Sequence, residues 1–470
     1  MSSKRVSAFE VLIWLTVILL VLLALSPYAV GYKVKSDYTN LIDRLSTVSK
    51  LDVRVKSYSQ GFFSSTALIE ADLPDTPKAI TFEEEIVHGP VYLGLINQGK
   101  SPFIAAVIKG ELNSDNTRIP ELKNILIHTS PLLYQHLIDF NGDIQSQTYM
   151  PAFKASFVNE MGDVILKSSG AMLTQDFSAV DGGVKGELSL PMLKIQNAAT
   201  SIDVENLSVS FSGVEGNNQL MMGDTVLSVE SLGMYVENDQ IAFRDLIVRS
   251  TTSEEGHLIN SGSQFSVREL LAANQKFGPL KLNVSFNGLD AKSLLEVQKI
   301  QATVQESLNK GIPPEQVNAM MLGQVMAVVP ELIKQAKVTI NPLSINSELG
   351  RLESDLQLYL EGIDANTPAD PVYMMDAINL ELNVSIDEAL IRKLISWNLQ
   401  NSETLKDVGS SSVLKKQIDD NLNALMTENW LSKSEGVYLT KISMSQGVML
   451  INDSPIDVMQ LLSSSVPTEK

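Results

Sequence analysis

Apolar residues return at every second position through long tracts of this chain, and that rhythm constrains the fold more than any motif. In "GELSLPMLKI" Leu188, Leu190 and Met192 alternate with other residues, as Leu356, Leu358 and Leu360 do in "DLQLYLEG". "KISMSQGVMLIN" places Ile442, Met444, Val448 and Leu450 in phase, while Leu227, Val229, Leu232, Met234, Ile241 and Phe243 extend the pattern. In "IDVENLSVSFSG" the phase moves from Ile202 and Val204 to Leu207, Val209 and Phe211, which predicts a bulge at Asn206-Leu207. A period of two sends successive side chains to opposite faces, so each tract reads as a strand with one greasy face. Strands of this kind pair antiparallel, and the greasy face needs a cover.

Sparse helices supply it. Residues 291–336 read as two or three helices divided at "GIPPEQ", where the proline pair suits a helix start, and 387–432 as two or three more. "TRIPELKNILIHTSPLLYQHLIDF" (117–140) reads as one or two short helices broken before Pro131. "LKLNVSFNGLDAKSLLE" and "LELNVSIDEALIRKLI" share Leu-Asn-Val-Ser at 282–285 and 382–385, each a strand entering a helix beside an aspartate, Asp290 or Asp387. "GSQFSVRELLAANQ" is a weaker third copy with Ser266 as the cap. The fold class is therefore α+β: β-rich, with extended antiparallel sheets, covering helices and one N-terminal transmembrane helix.

The transmembrane element is Val11–Tyr32, about 22 residues without a charge and long enough to span a ~30 Å hydrocarbon layer. Trp14, Tyr28 and Tyr32 lie near its ends, and Lys4 and Arg5 precede it, which favours a cytoplasmic tail of residues 1–10. An uncleaved anchor is preferred to a signal peptide because Pro27 would follow the cut after Ser26. The expected address is the bacterial inner membrane, single-pass, with the C-terminal part in the periplasm. Val34, Tyr38, Leu41, Ile42, Leu45 and Val48 follow at helical spacing, so 33–50 reads as an amphipathic stalk whose apolar face docks on the domain. At 470 residues the remainder should divide, here into a β-rich region, 51–278, and an α+β region with strand–helix repeats, 279–470.

Net charge is −19, and the first 35 residues are basic, leaving roughly −22 beyond them. That field repels phosphate backbones, so no nucleic-acid partner is expected. With no cysteine, thiolate chemistry and iron–sulfur clusters are excluded. The four histidines, His88, His128, His136 and His257, show no metal-ligand spacing, so neither metal nor cofactor is expected.

Leu51, Val53 and Val55 alternate before Gln60-Gly61, and Ala67, Ile69, Ala71 and Leu73 alternate after it: a hairpin. Phe62 and Phe63 cannot share one strand face, so one belongs at a bulge or edge, with packing expected over membrane contact. In "TFEEEIVHGPVYLG" Glu84, Ile86 and His88 take one face and Glu83 and Glu85 the other. A Glu–His pair suits acid–base work, but a solvated acidic strand ending in the Gly89-Pro90 turn is the plainer expectation. Ser64 and Ser65 have no local base, and no nucleophile elbow, P-loop or dinucleotide motif occurs, so no catalytic residue is assigned.

The anchor, "YSQGFFSSTA" (58–67), "EIVHGPVYLG" (85–94), "LNVSIDEALIRKL" (382–394) and "YLTKISMSQGVMLINDSPI" (438–456) together resemble the YdgA-like bacterial envelope proteins, a family of unknown function. The resemblance implies an anchored periplasmic protein in which Tyr58, Gly61, Phe62, Phe63, Ser64, His88, Gly89 and Pro90 are architectural or binding positions. The strands also look like the groove-forming sheets of AsmA-like envelope proteins, which are implicated in phospholipid transfer. Three functions remain: a non-catalytic binding or structural module, a lipid-binding or lipid-transfer protein with an apolar β-groove, and a periplasmic hydrolase near His88. The expected partners are the bilayer through Val11–Tyr32 and a lipid or envelope protein; self-association is compatible with all three.

Overall fold

A computed structural model describes residues 27, 34–35, 38–39, 42, 52–72, 79–113, 132–159, 162–236, 239–272, 275–309, 312–361, 376–401 and 411–456. Apart from Pro27, the Val11–Tyr32 segment lies outside these residues, as do 114–131. The architecture is β-rich and antiparallel with few helices. It divides into two compact units, residues 1–199 with 206–214, and residues 200–205 with 215–470. The division falls inside β11 (Thr200–Glu215) and not at 278/279, because the strands flanking 278 belong to one hydrogen-bonded ladder. Asn206 within β11, where the apolar phase moves, has a positive φ of 49°.

The first unit is a meander. β1 (Asp52–Gln60), β2 (Ser64–Asp72), β3 (Ala79–His88), β4 (Ala106–Leu112), β5 (Leu133–Ile138) and β6 (Ile144–Met150) pair in succession. The tract expected to be helical up to residue 140 is thus a strand at Leu133–Ile138, since β4 and β6 offer a ladder on both sides and tertiary pairing outweighs local propensity. β6 continues through Pro151 and Ala152 into β7 (Phe153–Asn159), which turns into β8 (Gly162–Ser168) and on into β9 (Ala171–Phe177). β6 pairs with β9 and β7 with β8, and β10 (Val184–Gln196) closes the series against both β9 and β8.

One face of β1–β5 carries the core Ala67, Ile69, Ile86, Ala106 and Ile108. Residues 34, 35, 38, 39 and 42 are helical, Thr39 Oγ1 donating to the Lys35 carbonyl at 3.0 Å. Val34, Tyr38 and Ile42, one helical face, are buried in that same core. The opposite face is covered at one end by a 3-10 turn, Leu93–Gln98, through Leu95, Ile104, Val107 and Leu137.

In the second unit β12 (Met221–Val236), β13 (Asp239–Glu255), β14 (Leu258–Ala272) and β15 (Gln275–Asp290) form a ladder of long strands. β16 (Lys337–Ser347), β17 (Gly350–Leu360), β18 (Ile378–Asp387), β20 (Val437–Ser445), β21 (Val448–Ile451) and β22 (Ser454–Ile456) extend it, with the short β19 (Ser432–Ser434) on β20. Ser266 lies inside β14 rather than capping a helix, because β13 and β15 hold both of its edges.

Helices α1 (Ala291–Asn309) and α2 (Pro314–Ile333) fall between β15 and β16; α3 (Glu388–Asn401) and α4 (Ser411–Thr427) follow β18. Both Leu-Asn-Val-Ser strands therefore run into helices. Asp290 caps α1, its Oδ1 accepting from Ser293 N at 2.8 Å and Ser293 Oγ at 2.7 Å. Asp387 does otherwise: its Oδ2 accepts from Arg351 N of β17 at 2.8 Å. Among the described residues Gln316–Ile333, within α2, is the one helical stretch long and apolar enough to cross a membrane, with mean hydropathy 1.2 and 6% of it buried.

Candidate functional site

One buried polar cluster of the first unit is built across five strands and one helix. Register aligns Tyr58, Ala67, Glu84, Gly110 and Tyr134 in a single cross-strand row. Glu84 takes the core face of β3, with Ile86 and His88, as alternation predicts, while Glu83 and Glu85 are exposed. Its side chain is thus buried rather than solvated, which corrects the plainer expectation, and its neighbours explain how. Ala67 and Gly110 are small, so space remains on both sides of the carboxylate. A Cβ on Gly110 would sit 1.9 Å from the Tyr134 ring, so only glycine lets that ring lie across the strand.

Tyr134 then donates its hydroxyl to Glu84 Oε1, and Tyr38, descending from the helix, donates to Glu84 Oε2. Burial raises the Glu84 pKa, partly offset by the two tyrosine bonds, and burial beside Glu84 raises both tyrosines. His136, its ring centroid 5.1 Å from that of Tyr134, is pushed down to about 4 by burial. The cluster favours neutral groups and forms a polar clasp between helix and sheet.

The second cluster joins the two motifs separated in sequence. His88 N donates to the Phe63 carbonyl at 2.8 Å, Nδ1 lies 3.4 Å from the Phe62 carbonyl, and Nε2 lies 2.8 Å from Ser65 Oγ. The tautomer that satisfies both ring contacts carries its proton on Nδ1, so Ser65 donates to Nε2. Tyr58, whose hydroxyl is buried without a hydrogen bond of normal geometry, adjoins this pair; burial raises its pKa and Ser65 counters it. Gly61 N donates to the Ser64 carbonyl at 2.9 Å, closing the β1–β2 turn. Gly89 N donates to Ala105 O at 2.8 Å, and a Cβ there would meet Ile104 O at 1.9 Å, so the backbones touch only because residue 89 is glycine. Pro90 O accepts from Ile104 N at 3.1 Å.

A serine on an imidazole is the geometry of an activated nucleophile. Here Ser65 is 1% and His88 2% exposed, and a backbone carbonyl stands where an orienting carboxylate would be. In this arrangement the pair pins the β1–β2 turn to the end of β3. Phe62 and Phe63 are not packed as expected: they sit in the turn, edge to face at 4.8 Å, and are 41% and 64% exposed.

The wet face of β2–β6 lines an open cavity of about 890 Å³, with Glu83, Glu85 and Glu111 against Lys109, which donates to Tyr92 Oη at 2.7 Å. Glu84 and Tyr134 also reach this lining. Among the described residues no group of three or more His, Cys, Asp or Glu is placed to hold a metal ion. Sequence reasoning missed Tyr38, Ser65 and Tyr134 as a site. The available signal was Tyr38 on the apolar face of the helix with Val34 and Ile42, an aromatic that needs a partner for its hydroxyl when buried.

In the second unit the register places apolar residues in rows on one face. Leu227, Val248, Phe265, Leu282 and Leu343 form one row across β12–β16, and Leu358, Leu380 and Met444 another across β17, β18 and β20. At one end Phe277, Ile386 and Tyr438 are covered by Leu390 of α3 with Ile418 and Leu422 of α4. The row from Leu227 to Leu343 is only half-buried, as are Leu358 and Leu380. The other face is polar, with Arg249, Gln264 and Asn283 around a hollow of about 280 Å³.

A family model described as "Bacterial protein of unknown function (DUF945)" matches residues 8–459. Protein YdgA of Escherichia coli (strain K12) is 21% identical over 333 residues, covering 67% of this chain. The match spans 66% of that relative's own length, just under two thirds. No solved structure matches.

Proposed function

The chain belongs to the DUF945 family of bacterial proteins of unknown function, and from that premise we propose that it is a membrane-anchored, non-catalytic envelope protein whose second unit binds lipid acyl chains. The observation that carries this reading is the half-buried row Leu227–Val248–Phe265–Leu282–Leu343, apolar across five strands and wider than its helical cover. A monomeric soluble surface seldom leaves so continuous an apolar band without a ligand. Val11–Tyr32 serves as the inner-membrane anchor, residues 1–10 stay in the cytoplasm, and everything beyond Tyr32 faces the periplasm.

The test is photocrosslinking. Full-length protein in vesicles of phosphatidylcholine carrying an acyl-chain diazirine should give adducts on peptides containing Val248, Phe265 and Leu282. Adducts confined to residues 11–32 would overturn the lipid-binding reading. Alkaline phosphatase fused after Lys35 should be active; an inactive fusion, with an active cytoplasmic reporter at the same point, would overturn the orientation.

A further inference from the structure

In the first unit every turn at one end of the meander lies on a common row: Gln60, Ser65, His88, Ala106, Ile138 and Ile144 are linked there by adjacent register positions. Two connections on this rim, 61–63 and 89–105, stand out by composition. They contain Lys100 and no acid, in a chain whose net charge is −19. They also present several large apolar side chains to solvent: Phe63 at 64%, Leu93 at 68%, Ile96 at 56% and Phe103 at 63% exposed, with Phe62 and Val91 beside them. The connections are held together, Val91 bridging to Phe103 and His88 N bonding to Phe63 O. The result is a firm, contiguous apolar patch.

The helix shows what lies against that patch. Lys35 Nζ sits 5.4 Å over the Tyr58 ring, and the Tyr38 ring centroid is 6.0 Å from that of Tyr58. Tyr58 is two residues from the rim end of β1, whereas the chain after Ile42 must reach Asp52, at the opposite end of that strand. Lys35 and Tyr38 therefore lie over the part of β1 nearest the rim. One residue before Val34 is Lys33, and before it stands the uncharged Val11–Tyr32. Lys35 and Tyr38, which closely follow that run in sequence, and the acid-free aromatic patch are thus at the same end of the unit.

We propose that the two connections 61–63 and 89–105 rest in the membrane interface, with Phe62, Phe63, Leu93, Ile96 and Phe103 inserted among the lipids at the foot of the anchor. Aromatic and aliphatic side chains at that depth bury apolar area, and the absence of acids from 61–63 and 89–105 spares the cost of desolvating carboxylates there, while the neighbouring turns with Asp139, Asp143 and Asp181 stay in water. The bound lipid surface holds the first unit in one orientation on the bilayer, while the Tyr38–Glu84–Tyr134 clasp makes the anchor and the sheet one piece. The proposal rests on the anchor reading above.

The absence of cysteine gives a clean test on the full chain. Single-cysteine variants Phe63→Cys, Leu93→Cys, Phe103→Cys, Leu20→Cys and Asp163→Cys are spin-labelled and reconstituted into phosphatidylcholine vesicles. Asp163 is exposed near the β7–β8 turn, at the far end of the sheet from the rim. Relaxation by dissolved oxygen should exceed relaxation by a water-soluble nickel chelate at positions 20, 63, 93 and 103, with the order reversed at 163. A lipid signal at 20 with water signals at 63, 93 and 103 would overturn the rim while leaving the anchor intact. Water signals at all five would overturn the anchor and the rim with it. A lipid signal at 163 would mean general immersion and would equally overturn the proposal. Because the three rim positions are exposed and independent, a folding failure in one leaves the other two to decide.

Discussion

Tyr38→Phe isolates the clasp between helix and sheet. The ring and its packing with Ile86 and Ile108 stay, and one hydroxyl donated to Glu84 is lost. A hydrogen bond between neutral groups contributes about 1 kcal/mol, one to a charged group about 1.5–3 kcal/mol. The loss should therefore grow with Glu84 ionisation. Burial raises the Glu84 pKa, so the folded state holds the proton more tightly than the unfolded one. The stability this group contributes is complete below the unfolded carboxyl value and declines as pH rises through the folded pKa. Tyr38→Phe should steepen that decline, and Glu84→Gln, neutral at every pH, should flatten it. Amide exchange read on peptides covering Ala79–His88 reports the local opening. A loss of about 2 kcal/mol corresponds to roughly 30-fold faster exchange there. Tyr134→Phe should do the same, and the double variant should cost more than the sum, because the carboxyl then has neither donor. Exchange that is unchanged in Tyr38→Phe, or changed equally at all pH values, would refute the reasoning.

Gly110→Ala should force the Tyr134 ring off the strand, since the new methyl would overlap it, costing about 2 kcal/mol or more in thermal unfolding. Glu70, held down to about 2 by hydrogen bonds from Lys56 and Arg54, should contribute stability that is present at neutral pH and lost as pH falls from about 4.5 toward 2; Glu70→Gln should shallow that acid limb in a pH-resolved melt. His88→Ala leaves Ser65 without its imidazole partner in a buried site, so a destabilisation of about 1–3 kcal/mol is expected by denaturant titration. Asp290→Ala removes the cap of α1 and should cost about 1 kcal/mol, read as faster exchange in the first turn, whereas Asp387→Ala should act on β17 instead.

Strand content was legible because alternation survives wherever one face is wet, as in β10, β17 and β20. It failed at Leu133–Ile138, where Leu132, Leu133, Leu137 and Ile138 also satisfy helical spacing and only the neighbouring strands decide. The irregular backbone at Asn206 could be anticipated because the apolar phase itself shifts there. Glu84 was placed on the correct face, but its burial was not, since that depends on Ala67, Gly110 and Tyr38 arriving from other elements. The Ser65–His88 pair was invisible for the same reason: 23 residues separate its members, and a hairpin followed by a third strand brings them together.

The order of pairing has a consequence for how such a chain is made. From β1 to β6 each strand bonds to the one just before it, and β12 to β18 repeat that order. A polypeptide delivered from its amino end therefore meets a template already in place at each step, which keeps loop-closure costs low and raw edges short-lived. The longest waits are the two helical excursions, 291–336 and 388–436, and there the new segment can coil upon itself until the next partner emerges.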